Sequence, residues 1–301
     1  MRQGRLASLL LLTGAAAGCT AIPPSASLPA PPPAAVPTLV RPAEPERPGF
    51  AFQGALAQGG LAIGTAPAGA VSVRFLGESL SLAPGGRFLL GFGRDFPASA
   101  TVEAVFGDGT VRRQTLAIAP GHWRIESLPT LRRGTTPTPE FLRIRAAETA
   151  RIQAARAVRS RTDGWEQRFL WPVTGRISGL FGAQRIYAGE PGAYHSGVDV
   201  ARPSGTPIVA PADGVVVLAA DSPFTLEGHL LMIDHGMGLN SAFLHLSRID
   251  VKEGDRVYRG QKIGAIGSSG RATGPHLHWS LMWNGQRLDP ALLAGPMPEG
   301  R

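Results

Sequence analysis

From Trp171 to Pro290 the chain is a series of short apolar runs, each closed by glycine or proline within a few residues. Gly214 to Ala220, Leu230 to Asp234, Asn240 to His245, Lys262 to Ile266 and His276 to Trp283 are too short for ordinary helices and too apolar for loops. With 39 Gly and 27 Pro among 301 residues, turn formers are frequent enough to end every such run. The expected fold class is mainly β, and this segment is expected to form an antiparallel sheet.

Polar residues are placed on that sheet in a pattern. His195 and Asp199 stand at i and i+4, His276 and His278 at i and i+2, and His245 lies between the two pairs. Residues two and four apart share one face of an extended strand, so each pair points into one cavity. Zinc takes nitrogen from His and oxygen from Asp, and a catalytic zinc keeps three protein ligands and one open position. The pattern therefore reads as a hydrolytic zinc site. No His-Glu-x-x-His occurs, so no glutamate is presented as that motif's general base. Proton handling falls to the histidines, whose unperturbed pKa of about 6.5 suits them to it. His235, between Asp234 and Gly236 at a strand end, reads as structural, and His122 and His229 have no partner pattern. Asp213-Gly214 is a hairpin turn signal.

Around these residues stand Phe181-Gly182, Arg185-Ile186-Tyr187, the run Gly205 to Gly214, Ile233 to Gly236, His245-Leu246-Ser247 and Gly274 to His278, in that order. The ordered set resembles the zinc metallopeptidases of the lysostaphin and LytM type, which cut the peptides of bacterial cell-wall peptidoglycan. The resemblance implies one Zn2+ per chain held by His195, Asp199 and His278, with His245 and His276 as the catalytic pair beside the open position. That pair would accept a proton from water and steady the oxyanion, and the sequence does not divide the two roles. The loops Ala188 to Tyr194 and Ser268 to Gly274 are expected to wall the substrate groove. Arg185, Tyr187, Tyr194 and Arg271 are the substrate-binding candidates, Arg271 toward a stem-peptide carboxylate. Some members of this family lack zinc ligands and switch on cell-wall amidases, so the alternative is a non-catalytic or latent regulator with divisome or amidase partners. All five site residues are present, which favours the enzyme. Val251 to Gly264 also resembles half of a biotinyl or lipoyl carrier, but neither Lys252 nor Lys262 sits at a hairpin tip, which excludes that function.

At the other end, Arg2 and Arg5 precede the apolar Leu6 to Leu12, then small residues Gly14 to Gly18, in the manner of a secretory signal peptide. Ala16-Ala17-Gly18-Cys19 resembles the lipobox of bacterial lipoproteins, with Ala16 where leucine is usual. Cys19 is the sole cysteine, so no disulfide forms within the chain, and lipidation accounts for a lone exported thiol. Ten prolines between Pro23 and Pro48 make an extended tether, which at polyproline rise reaches up to about 80 Å. No stretch has the ~20 apolar residues of a membrane-spanning helix. An exported, periplasmic, membrane-anchored lipoprotein of a Gram-negative envelope is expected.

Between tether and peptidase segment, Val71 to Phe75 alternates, Leu80-Ser81-Leu82 continues the pattern, and Pro84-Gly85-Gly86 and Asp108-Gly109 turn the chain, which reads as a small β-sandwich-like module. The helix expected over Pro139 to Ser160 carries a thin apolar stripe of Phe141, Ile144, Ile152 and Ala155. The domain plan is a signal peptide (1–19), a proline-rich tether (20–49), a β module (50–126), a basic helical connector (127–166), a zinc peptidase domain with an antiparallel sheet (167–293) and a tail (294–301). Of the net charge of +8, the eight arginines between Ser127 and Thr162 against Glu140 and Glu148 supply +6. The excess charge is thus expected on the connector and away from the zinc, facing peptidoglycan carboxylates or anionic lipid. Nucleic acid is excluded as a partner, for want of an aromatic-rich groove in an exported chain.

Overall fold

A computed structural model describes residues 49–131 and 137–298. The segment expected to be a signal peptide, Cys19, the expected tether through Pro48, residues 132–136 and the last three residues lie outside the described residues. Among the described residues no helix is long and apolar enough to cross a membrane.

The fold is mainly β. β1 (Ala51–Gly54), β2 (Leu61–Thr65) and β5 (Arg87–Gly91) form one antiparallel sheet, and β4 (Glu78–Leu80), β3 (Ala70–Phe75), β6 (Ser99–Phe106) and β7 (Val111–Ala117) another, in that order. Alternation decides the faces: Val73 and Phe75 of β3 are buried while Arg74 is exposed. Phe75 meets Phe92, just past β5, edge-on at a centroid distance of 6.1 Å, so the two sheets share one core. β8 (Ile125–Leu128) leaves the module and pairs in parallel with β10 (Gln184–Tyr187), which β11 (Glu190–Pro191) extends.

α1 spans Pro139–Ala157. Thr138 caps it by accepting the Phe141 N–H at 3.2 Å, and Pro139 occupies the first turn where its missing N–H costs nothing. The helix ends three residues short of Ser160, because Val158 turns to extended backbone. Its buried Ile152 and Ala155 pack on Leu218, Phe224, Leu230, Met232 and Ala242.

The large sheet runs β17 (Arg256–Val257), β14 (Gly214–Ala219), β15 (His229–Asp234), β16 (Leu239–Ile249), β19 (His276–Trp283), β12 (Val198–Ala201) and β9 (Arg176–Gly179), all antiparallel, with β13 (Pro207–Val209), β18 (Lys262–Ile266) and β20 (Gln286–Leu288) alongside. α2 (Pro290–Ala294) closes it, capped by the Asp289 carboxylate, which accepts from the Ala291 N–H at 2.9 Å. On β19 the period of two is strict. Leu277, Trp279, Leu281 and Trp283 are buried in the core, and His276, His278, Ser280 and Met282 take the other face.

The core is continuous from the small sheets into the large one. Phe88, Leu90 and Phe92 belong to the same buried cluster as Trp279, Trp283 and Leu288. A Cβ at Gly91 would stand 2.8 Å from the Trp283 ring, so β5 lies directly on that indole.

His235 is fully buried, as a structural residue at a strand end should be. Its Nδ1–H donates to Asp213 O at 2.8 Å, and its Nε2 accepts from the Ser241 hydroxyl at 2.8 Å. Burial pushes its pKa down to about 4. Between pH 6.5 and 4 the unfolded imidazole takes a proton that the folded one refuses, so stability falls as pH falls through that window. The loss attributable to His235 is on the order of 3 kcal/mol. Urea midpoints measured from pH 7 to 4.5 should decline less steeply in His235→Asn than in the wild type; parallel slopes would refute the assignment.

Candidate metal and catalytic site

Register assembles the site. Asp199 on β12 pairs with His278 on β19, and His278 pairs in turn with Leu244 on β16. His195 lies in the loop before β12, and its backbone is held by N–H donation to Ala183 O at 2.8 Å. His195 Nε2, Asp199 Oδ1 and His278 Nδ1 form a triangle with edges of 3.0, 3.1 and 2.8 Å. In tetrahedral zinc with bonds of 2.0–2.2 Å the ligand atoms stand about 3.3 Å apart, so a small expansion of the triangle would seat the ion.

The chemistry of the donor set fits a cation. His195 Nδ1 lies 2.9 Å from Leu180 O. A carbonyl only accepts, so Nδ1 carries hydrogen and Nε2 of the neutral ring turns a lone pair inward. One proton at the centre could serve only one edge of the triangle at a time. Burial opposes a charged His195, but hydrogen bonding and attraction to Asp199 outweigh it and raise its pKa. Burial likewise opposes the Asp199 carboxylate, yet the two imidazoles hold its pKa far below the usual range. His278 is lowered, chiefly by burial. These three are the one group among the described residues whose ligand atoms converge for a metal ion.

Two glycines clear the space. A Cβ at Gly179 would collide with Asp199 Oδ2 and stand 3.0 Å from His195 Cε1. A Cβ at Gly197 would collide with Trp279 O and stand 2.8 Å from His278 Nε2. Sequence reasoning missed both, and Gly197 could have been flagged by its place between His195 and Asp199.

His245 reaches the site through a break in alternation. Phe243 faces the core and Leu244 the cleft, so a regular strand would turn His245 back into the core. Its φ of 64° and a register shift between β15 and β16, where Phe243 pairs with Leu231 and Leu246 with His229, bring His245 to the cleft instead. Its Nδ1–H donates to Ser269 O at 2.8 Å, and that of His276 to Gly274 O at 2.8 Å. Both rings therefore offer Nε2 as the free base. They stand 4.9 Å apart, and His276 Nε2 is 3.9 Å from Asp199 Oδ1. Burial lowers the His245 pKa to about 4, so the ring is neutral at pH 7.

All five residues line a cleft of about 800 Å³. Tyr194 and Arg271 line it too, from the two expected wall loops. Arg185 and Tyr187 on β10 are not among its lining residues, and Arg185 instead pairs with Glu126 of β8 at 2.9 Å. The charge expectation needs correcting. α1 is no remote connector: Arg145, Thr149, Ile152, Gln153 and Arg156 form a wall of this cleft, because Ile152 and Ala155 bury against the sheet that carries the histidines. Arg287, another residue the sequence did not signal, also lines it.

The model of peptidase family M23 matches residues 193–290. Over 132 residues the chain is 40% identical to peptidoglycan DD-endopeptidase ShyA of Vibrio cholerae serotype O1, covering 44% of this chain and 30% of that protein. Over 124 residues it is 40% identical to DD-carboxypeptidase/endopeptidase Mpg of Neisseria meningitidis serogroup B, covering 41% and 28%. The chain thus spans less than a third of the length of these curated relatives. The crystal structure of a candidate M23 peptidase from Pseudomonas aeruginosa superposes with a TM-score of 0.60 at 29% identity, covering 79% of this chain and 95% of that one.

Replacing Gly179 or Gly197 by alanine removes no ligand but should weaken metal affinity by about 10- to 100-fold, the range for disturbed support of a ligand set. Competition titration with a zinc chelator measures it, with His278→Ala as the variant that loses the ion. Wild-type affinity in Gly179→Ala would show that the cradle is not needed.

Proposed function

The chain belongs to peptidase family M23, and on that premise we propose that it is a zinc-dependent endopeptidase that hydrolyses peptide cross-links or stem peptides of bacterial peptidoglycan. One observation carries the reading: two imidazoles with free Nε2 atoms flank a three-ligand cluster on the wall of an open cleft. His195, Asp199 and His278 would hold the zinc, which when bound polarises a scissile carbonyl and acidifies water.

The chain's own residues do the rest. Backbone carbonyls at Ser269 and Gly274 fix the tautomers of His245 and His276, so each Nε2 stands ready to accept a proton. Once protonated, such a ring becomes a donor. It can then bond a developing oxyanion or return the proton to the leaving amine. The depressed pKa of His245 keeps it unprotonated until the reaction supplies the proton. Tyr194, Arg271 and α1 line the space in which an extended peptide would lie. A regulator that only activates amidases would need neither free base, and nothing among the described residues favours that alternative.

The proposed setting is the periplasm of a Gram-negative envelope, reached by export and kept by lipid on Cys19. Peptidoglycan is the partner, and divisome or amidase proteins are further candidates. The names of the two relatives support this choice of substrate.

Purified sacculi digested with the protein and analysed by mass spectrometry should yield new peptide ends. His245→Ala and His276→Ala should each lower the rate by about 10²- to 10⁴-fold while metal analysis still finds zinc. Absence of new ends with zinc supplied would discard the enzyme reading in favour of the regulator.

A further inference from the structure

The arginines of the cleft are not equivalent. Arg145 is neutralised: it donates to Glu148 at 2.6 Å and to both oxygens of Glu227 at 2.7 and 3.1 Å. Arg156, three turns along the same helix, has no such partner. It makes no side-chain hydrogen bond or ion pair with any described residue, and its Nε is buried without a partner. Burial is the main reason its pKa is lowered, to about 10, with repulsion from Arg287 adding and attraction to Glu227 opposing. Arg287, on β20, likewise makes no ion pair among the described residues. Two cations share one region of the cleft, and Glu227, the acid whose charge reaches Arg156, is already bonded to Arg145. Arg156 is half-buried, and a cation partly withdrawn from water without an acid partner is costly unless a ligand supplies one.

Resting on the peptidase reading above, we propose that Arg156 and Arg287 form a carboxylate-binding subsite, so that the substrate is a peptide bearing a free carboxylate at a set distance from the scissile bond. Register supplies that distance. Arg287 pairs with Met282, two positions beyond Ser280 on the strand face that carries His278. Met282 stands four positions along the strand from His278, or about 13 Å. An extended peptide whose scissile bond lies at His278 spans that gap with about four residues, fewer if the acid is on a long diamino-acid side chain. A planar guanidinium fork matches a carboxylate in two parallel hydrogen bonds, which the Nη atoms of Arg156 and Arg287 can supply.

Cross-linked peptide dimers with free carboxylates and with the same carboxylates amidated distinguish the cases, using the full chain loaded with zinc. The wild type should favour the free acid at least tenfold in kcat/KM. In R156Q and R287Q that ratio should fall toward one through a rise in KM for the free acid, and R156K should restore part of it. Thermal melts check folding, and R287Q keeps the test alive should R156Q not fold. Equal use of both dimers by the wild type, or an unchanged ratio in both variants, overturns the subsite while the peptidase stands. If neither dimer is cut, the peptidase reading fails by itself. Calorimetric binding of the two dimers then decides: preference for the free acid that R156Q abolishes upholds the subsite, and equal binding ends it.

Discussion

The hydrogen-bonded ladder joining β12, β19 and β16 sets Asp199, His278 and Leu244 in one row across the sheet, and the polar site exists only while that register holds. A slip of one residue would bury His276 and His278 in the core and expose Leu277 and Trp279. The slip is prevented from the opposite face. Trp279 and Leu277 are fully buried, and Trp283 is clamped under β5. Moving those side chains into water would forfeit roughly 1.5–3 kcal/mol each. Apolar burial on one face therefore fixes ligand geometry on the other. The small sheets contribute to this directly, since Gly91 lies on Trp283 and the core runs without a break between them.

Against that rigid background the site holds features that are unfavourable by themselves. His245 has φ of 64°, which costs a β-sheet residue on the order of 1–3 kcal/mol. Asp199 is desolvated, and two imidazoles crowd one of its oxygens. A cation at the triangle would turn that crowding into coordination. The strain at His245 has a geometric purpose. It breaks the period of two so that a residue adjacent to Leu244 shares its face, and places a second base opposite His276.

The strand pattern was legible in the sequence because each run carries its own information: alternation on β19 and bounding glycines follow from neighbours in the chain. The five polar residues were legible for the same reason, being paired at strand spacing around one intervening histidine. The place of α1 was not. Its stripe of Phe141, Ile144, Ile152 and Ala155 buries only Ile152 and Ala155, and nothing local says which sheet they meet. That contact is set by long-range topology, as is the pairing of β8 with β10, which draws Arg185 to Glu126 and leaves it out of the cleft lining. Charge counted along the chain could place eight arginines on one segment, but not which of them end in the cleft.

Once α1 is seen as a wall, its charges divide into two physical roles. The Arg145–Glu227 and Arg145–Glu148 pairs, with the Glu148 carboxylate also accepting from Thr225 N at 2.6 Å and Oγ1 at 2.7 Å, fasten the helix to the loop before β15. A network with every carboxylate oxygen engaged holds its geometry and leaves little field for a ligand. Arg156 lies on the same rigid helix with the opposite arrangement, a cation without an acceptor beside Arg287. Had Arg156 only a structural task, an apolar side chain would fill its volume without leaving a half-buried cation whose Nε has no acceptor. Fastening one arginine and leaving the other open gives a positive site whose position is fixed before any peptide arrives. That is the condition under which charge selects among substrates instead of following them.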